Sequence, residues 1–302
     1  MSSPYNIQNL PGKLPYRNLI IELIEGPEFN NGKFTGKEKT VALLEGIQAE
    51  FRVAKYRCSV QPTANIRIAN LTKEHIQLFT TFSREASARL RNNRIRLWAG
   101  FEEKNVSLIF DGDIIQALPT MPPDIWLDCE CMSGYYKNFT LSSFSLTSDK
   151  TGYRDIAEMA AEIMDMSLEF KAQRLENTFK NFYFEGNLQN FLKKYNELGG
   201  AAAYIEGNTL VVDDLNPSGQ QVPYEIDKYS GLVGTVRPSP TGIGFTTVLM
   251  PDADLSRGFK IKSELIPAAE GIYYPYSLVH RGDLRGDEWY TEFNAFNEDY
   301  GS

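Results

Sequence analysis

The sequence predicts a β-rich α+β protein in which two β units flank a small α+β unit, and three observations carry this. The first is an echo: RIRLWAGF (94–101), SLIFDGDIIQAL (107–118) and PPDIWLDCECMSG (122–134) are answered downstream by GFKIKSEL (258–265), GIYYPYSLVHRGDL (271–284) and GDEWYTEFNAF (286–296). Each set reads as a strand, a long strand carrying a Gly-Asp turn, and a third strand packed with aromatics. Two β-meanders can look alike without a common origin, and periodicity alone leaves that open. The second observation is that the strongest helical spacing lies between the echoes. The third is a pair of composition shifts, a Ser/Thr/Phe-rich stretch at 137–150 and NPSGQQVPYEI at 216–226. They divide the chain into expected domains at 1–136, 137–215 and 216–302.

In chain order, residues 1–18 read as an extended arm, because Pro4, Pro11 and Pro15 disfavour regular structure. NLIIELIEG (18–26) is a short apolar strand. Residues 26–40 form a polar, glycine-bearing loop, long enough to reach a neighbouring molecule. VALLEGIQAEFRVAKYRCSV (41–60) gives one or two strands, and ANIRIANL (64–71) alternates with Ile66 and Ile68 on one face. Thr72 is a good N-cap for a helix over 73–86, with Leu71 and Ile76 spaced as a hydrophobic staple. In the middle unit, RDIAEMAAEIMDMSLEF (154–170) carries Ile156, Met159, Ala160, Ile163 and Met166–Leu168 at helical spacing. A second helix over 187–200 is capped by Asn187 and ended by Gly199. AAAYIEGNTLVVDDL (201–215) reads as a hairpin turning at Glu206-Gly207-Asn208, and GLVGTVRPSPTGIGFTTVLMP (231–251) supplies further strands.

With 302 residues, 42% of them hydrophobic, the chain can bury real cores. No stretch approaches the ~18 uninterrupted apolar residues of a membrane span, and no signal peptide is apparent. The net charge of −8 argues against sequence-independent DNA binding, which needs Lys and Arg to neutralise phosphates. An acidic wall would instead keep a passing polyanion mobile. Cys58, Cys129 and Cys131 fit a reducing compartment; Cys129 and Cys131 share a strand face and read as packing. Two histidines, His75 and His280, are too few for a His-dependent triad or a multi-His metal site, and His280 reads as a hydrogen-bonded structural residue. GKFTGKE (32–38) is one residue short of a phosphate loop and has Glu38 where Ser or Thr should bind magnesium. TGIGFTT (241–247) lacks the third glycine of a dinucleotide fingerprint, and Asp111-Gly112-Asp113 lacks the downstream acids of a calcium loop. No catalytic constellation emerges, and neither cofactor nor metal is expected.

Several segments together resemble one family. ANIRIANLT, RIRLWAGF and LIFDGDIIQALPTMPPDIWLDCECMSG are similar to the N-terminal domain of bacteriophage baseplate hub proteins. NFYFEGNLQNFLKKYNELGGAAAYIEGNTLVV (181–212) resembles the middle domain, and GIYYPYSLVHRGDLRGDEWYTEF (271–293) the C-terminal β domain. The same superfamily includes late-control tail proteins and the hub portion of type VI secretion spike proteins. The resemblance implies two tube-like antiparallel β-barrel domains flanking a small α+β domain, and a structural role without catalysis. It implies a homotrimer of a contractile phage tail, forming a pseudo-six-fold ring that adapts the six-fold tail tube to the three-fold spike. The implied partners are further copies of the chain, the tail tube protein, the central spike protein, surrounding baseplate proteins and the tape-measure protein. DNA would be present only in transit and no membrane insertion is implied; the protein would sit in the virion tail baseplate after assembly in the host cytoplasm. The chain ends soon after the second β unit, so no fused spike, lysozyme or peptidase domain is expected. Positions matching the family pattern are Asn70, Leu71, Gly112, Asp113, Gly186, His280, Gly282, Asp283 and Gly286, with Thr72 as the cap. They imply fold determinants: a capped helix entry, tight turns and a strand corner. Competing readings are the hub of a tailocin or secretion machine, a tail-tip cell-wall or polysaccharide hydrolase, and an adhesin using Tyr273, Tyr274 and Tyr276.

Overall fold

The computed structural model describes residues 16–30, 33–35, 37–81, 92–102, 105–217 and 221–297. Most of the expected N-terminal arm lies outside the described residues, as do residues 82–86 of the expected first helix.

The chain is β-rich α+β, and a single 13-stranded sheet contains both β units. Its main path runs Leu232–Ser239, Gly242–Val248, Trp289–Asn297, Gly271–Asp283, Ala49–Tyr56, Thr63–Ala69, Trp126–Met132, Asn105–Pro119, Arg94–Phe101, Arg17–Glu25 and Lys39–Glu45. The units join where Ala49–Tyr56 pairs antiparallel with Gly271–Asp283, from Tyr56 opposite Ser277 to Glu50 opposite Asp283. Each echoed set forms a run of consecutively paired antiparallel strands, although its second version opens with only Phe259–Ile261.

The first unit must curl. Six ladder spacings separate Lys39–Glu45 from Ala49–Tyr56, about 29 Å if flat. Yet Gly46-Ile47-Gln48 alone connects them, a reach of about 15 Å at most. The curled shell encloses a core of Leu19, Ile21, Leu23, Phe51, Val53, Ile66, Ile68, Ile95, Leu97, Phe110 and Leu127, joined from the far end of the chain by Leu249 and Trp289. A second core forms between α2 (Tyr153–Ile163) and α3 (Leu188–Glu197), with Phe144, Phe184, Phe191 and Tyr195 at its centre. A third gathers Phe245, Phe259, Leu278 and Phe293. The hairpin Ala201–Glu206/Thr209–Asp214 is apolar on both sides for a reason: Ala203, Ile205, Leu210 and Val212 serve the second core, Tyr204 and Val211 the third.

Four expectations need correction. The first helix, α1 (Lys73–Phe79), is only seven residues long, because Thr80 turns extended and Thr81 bonds to strand Asn105–Pro119 through Ala117. Met166–Leu168 is not helical: α2 stops at Ile163, Asp165 takes a left-handed φ of 51°, and Ser167–Phe170 pairs parallel with Thr209–Asp214. The 26–40 loop holds a short strand pair, Glu28–Asn30 with Lys33–Thr35, and then the start of Lys39–Glu45. Gly112-Asp113 is not a turn but the middle of a 15-residue strand.

Candidate functional site: a polar face across one sheet

Strand register determines which side chains share a face. Glu50, Arg67 and Asp128 lie opposite one another across three strands, and Arg52, Asn65 and Glu130 form the next row. Through the joining pair, Asp283 and Arg281 continue these rows, followed by Tyr290, Glu292 and Asn294. Gly244 faces Arg237 at one end of the face, and Gln116 and Leu118 of Asn105–Pro119 lie opposite Glu130 and Asp128 at the other. One polar face therefore crosses eight strands and both units, while the alternate residues (Phe51, Ile66, Cys129, Leu278, Phe293) fill the cores behind it. It carries five carboxylates (Glu50, Asp128, Glu130, Asp283, Glu292) against four arginines (Arg52, Arg67, Arg237, Arg281), so it is close to electroneutral. Arg67 bonds Glu50 at 2.8 Å and Asp128 at 3.0 Å and lies 5.0 Å over the Trp126 ring. The Asp128 hydrogen bond leads in raising its guanidinium above the ordinary value. Arg281 pairs with Glu292 at 3.3 Å.

Where the first unit meets the middle one, charges are denser. Arg94 reaches Asp111 at 2.6 Å, Glu38 at 2.8 Å and Asp113 at 3.7 Å; Arg96 bridges Glu22 and Asp111. Asp113 is buried, and desolvation pushes its carboxyl up to about 6 despite the bond it accepts from the Tyr136 N–H at 3.2 Å. Tyr136 belongs to a 3-10 turn, Tyr135–Phe139, that acts as the joint. Its Lys137 donates to the carbonyls of Met164 and Asp165 beyond α2, and burial lowers that ammonium. Asn138 donates to Gln61 at 2.7 Å and accepts from the Gln189 N–H near the start of α3. A second clamp is Arg57, which pairs with the buried Asp213 at 3.1 Å and donates to the carbonyls of Asp214 and Leu215.

The residues singled out from sequence fall into separate places rather than one site. Asn70 has a left-handed φ of 57°, Leu71 packs on the first core, and Thr72 caps α1 by accepting from the His75 N–H at 3.2 Å. Gly186 ends strand Phe182–Gly186 immediately before Asn187, which caps α3. A Cβ on Gly112 would fall 2.6 Å from the Phe110 ring, and one on Gly282 2.3 Å from Phe51 and 2.8 Å from Trp289. These glycines make room for aromatics inside strands. Asp283 does start a turn: its carboxylate accepts from the Arg285 N–H at 2.9 Å, and Arg17 donates to the carbonyls of Asp283 and Gly286. His280 is fully buried, with Nδ1 2.9 Å from the Thr291 hydroxyl, and burial holds it well below the ordinary value. Cys129 and Cys131 are core residues; burial raises the Cys129 thiol to about 12. Tyr273 and Tyr274 are buried, which leaves only Tyr276 of that trio on the surface. Sequence reading missed Arg17, Arg57 and Arg67, whose partners lie on distant segments with no local signal.

Among solved structures, this architecture is shared by tail proteins, one of them from a prophage, and by a type VI secretion component. The tail protein from Neisseria meningitidis MC58 matches with a TM-score of 0.63 at 9% identity, over 94% of this chain and 98% of that one. The 43 kDa tail protein of prophage MuSo2 from Shewanella oneidensis gives 0.60 at 8%, over 93% and 97%. An E. coli component of the type VI secretion system, described as similar to T4 bacteriophage tail proteins gp27 and gp5, gives 0.57 at 9%, over 83% and 73%. No curated protein is significantly similar in sequence. The family model for baseplate hub gp41 matches residues 31–295, and the chain belongs to that family.

Proposed function

We propose that the protein is the structural hub of a contractile phage tail baseplate, a homotrimeric ring of pseudo-six-fold symmetry that joins the six-fold tail tube to the three-fold spike and lines the DNA channel. The observation that carries this is the polar face that two β units share through one sheet. A subunit with two such units supplies two of six positions around an axis. The eight strands bearing the face alternate strictly in direction, so their end strands, Leu232–Ser239 and Asn105–Pro119, run antiparallel to each other. Copies set head to tail would continue the alternation through the part of Asn105–Pro119 beyond its pairing with Arg94–Phe101, a heterologous contact, which closes into a ring when its rotation is a whole fraction of a turn. In this reading the domains are 1–136, 137–215 and 216–302, and Asn70, Leu71, Thr72, Gly112, Asp113, Gly186, His280, Gly282, Asp283 and Gly286 are fold determinants without catalytic roles. The partners are the tube, spike and surrounding baseplate proteins and the tape-measure protein, in a virion component assembled in the host cytoplasm. Mass measurement in solution with negative-stain imaging tests it, alone and with tube or spike protein. A chain that stays monomeric at high concentration and never forms rings with either partner would sink the reading.

A further inference from the structure

We propose that the carboxylates of the shared face mask Arg67 and Arg281, so that a DNA duplex moving along it finds neither guanidinium free to hold a phosphate. This rests on reading that face as the channel wall. Non-specific DNA binding comes from Lys and Arg displacing counterions from phosphates. On this face the guanidinium of Arg67 is engaged by Glu50 on one neighbouring strand, by Asp128 on the other, and by the Trp126 ring. A phosphate would have to displace a carboxylate and then stand beside two anions. Arg281 is engaged by Glu292. Arg52 and Arg281 face each other across strands, but the neighbouring pair on the same face is Glu50 with Asp283, so the four charges cancel locally. An all-acidic wall would repel the duplex over a Debye length and a basic one would hold it; a wall of compensated pairs does neither.

The masks can be removed without touching the core. Glu50, Asp128 and Glu292 are partly exposed, with side chains at 36%, 47% and 33%. Glu50→Gln with Asp128→Asn frees Arg67, and adding Glu292→Gln frees Arg281. Each variant and the wild type would be titrated into a fluorescent ~20-bp duplex at about 50 and 200 mM salt, with anisotropy as the readout. Thermal unfolding would confirm that each is folded. The wild type is expected to show no saturable binding. The triple variant should bind at least ~10-fold more tightly, weakening with salt at a log–log slope of about −0.9 per freed arginine engaged. Adding Arg67→Gln to the double variant should abolish its gain. A wild type that binds as tightly as the triple variant overturns the proposal, and so does a folded triple variant that gains nothing. Solution mass on the same samples, alone and with tube or spike protein, separates this from the ring: a DNA gain by a chain that never assembles refutes the ring alone, and an assembled ring without the gain refutes the masking alone.

Discussion

Asp113→Asn should stabilise the protein at neutral pH. The carboxyl is 8% exposed and its nearest cation, Arg94, is 3.7 Å away and already engaged by Asp111 and Glu38. Burial raises it from the usual 3.8 to about 6. A carboxyl whose folded value is raised favours the folded state when protonated; that contribution is complete below about pH 3.8 and is lost as pH climbs through 6. The size of the loss is about 3 kcal/mol. Asparagine keeps an oxygen to accept from the Tyr136 N–H and carries no charge. Allowing for the weakened field at Arg94, the variant should exceed the wild type by about 1–3 kcal/mol at pH 7.5, with the gap closing towards pH 4.5. Urea denaturation of both proteins across that range measures the gap directly. A constant gap, or a variant less stable at pH 7.5, would show that the buried carboxylate carries no penalty.

Two further perturbations test packing and the clamp. Gly282→Ala forces a methyl into the Phe51 and Trp289 rings and should cost about 1–3 kcal/mol, read as a lower melting temperature with the same oligomeric mass. Arg57→Met leaves the fully buried Asp213 without its cation and should cost about 3–5 kcal/mol; Arg57→Met with Asp213→Leu should recover at least part of that in a denaturation series.

Local patterning made the strands legible. In Thr63–Ala69 the alternation of buried Ala64, Ile66 and Ile68 with exposed Asn65 and Arg67 is readable from residue type alone. Capping was legible too, since Thr72 and Asn187 act on the backbone three residues on. What failed was the reading of glycine as punctuation: at Gly112 its value is room for a ring, which depends on where Phe110 points. Met166–Leu168 failed because a short apolar run fits helix and strand equally, and its partner strand, Thr209–Asp214, decides. The polar face was invisible for a deeper reason. Its rows cross strands from opposite ends of the chain, and only the pairing of Ala49–Tyr56 with Gly271–Asp283 brings them together.

That pairing also sets an order of events during synthesis. Ala49–Tyr56 emerges early, yet one of its two edges stays open until residues near 283 have been translated. The middle unit, whose core draws on residues 144–212, can condense in the interval because its contacts are local. The nascent first unit meanwhile carries an unpaired strand edge and lacks Trp289 in its core, a species prone to pairing with its neighbours on the ribosome. Truncations from the C-terminus should therefore damage the first unit as well as the second, and the full-length chain should depend on prompt closure of its most distant strand pair.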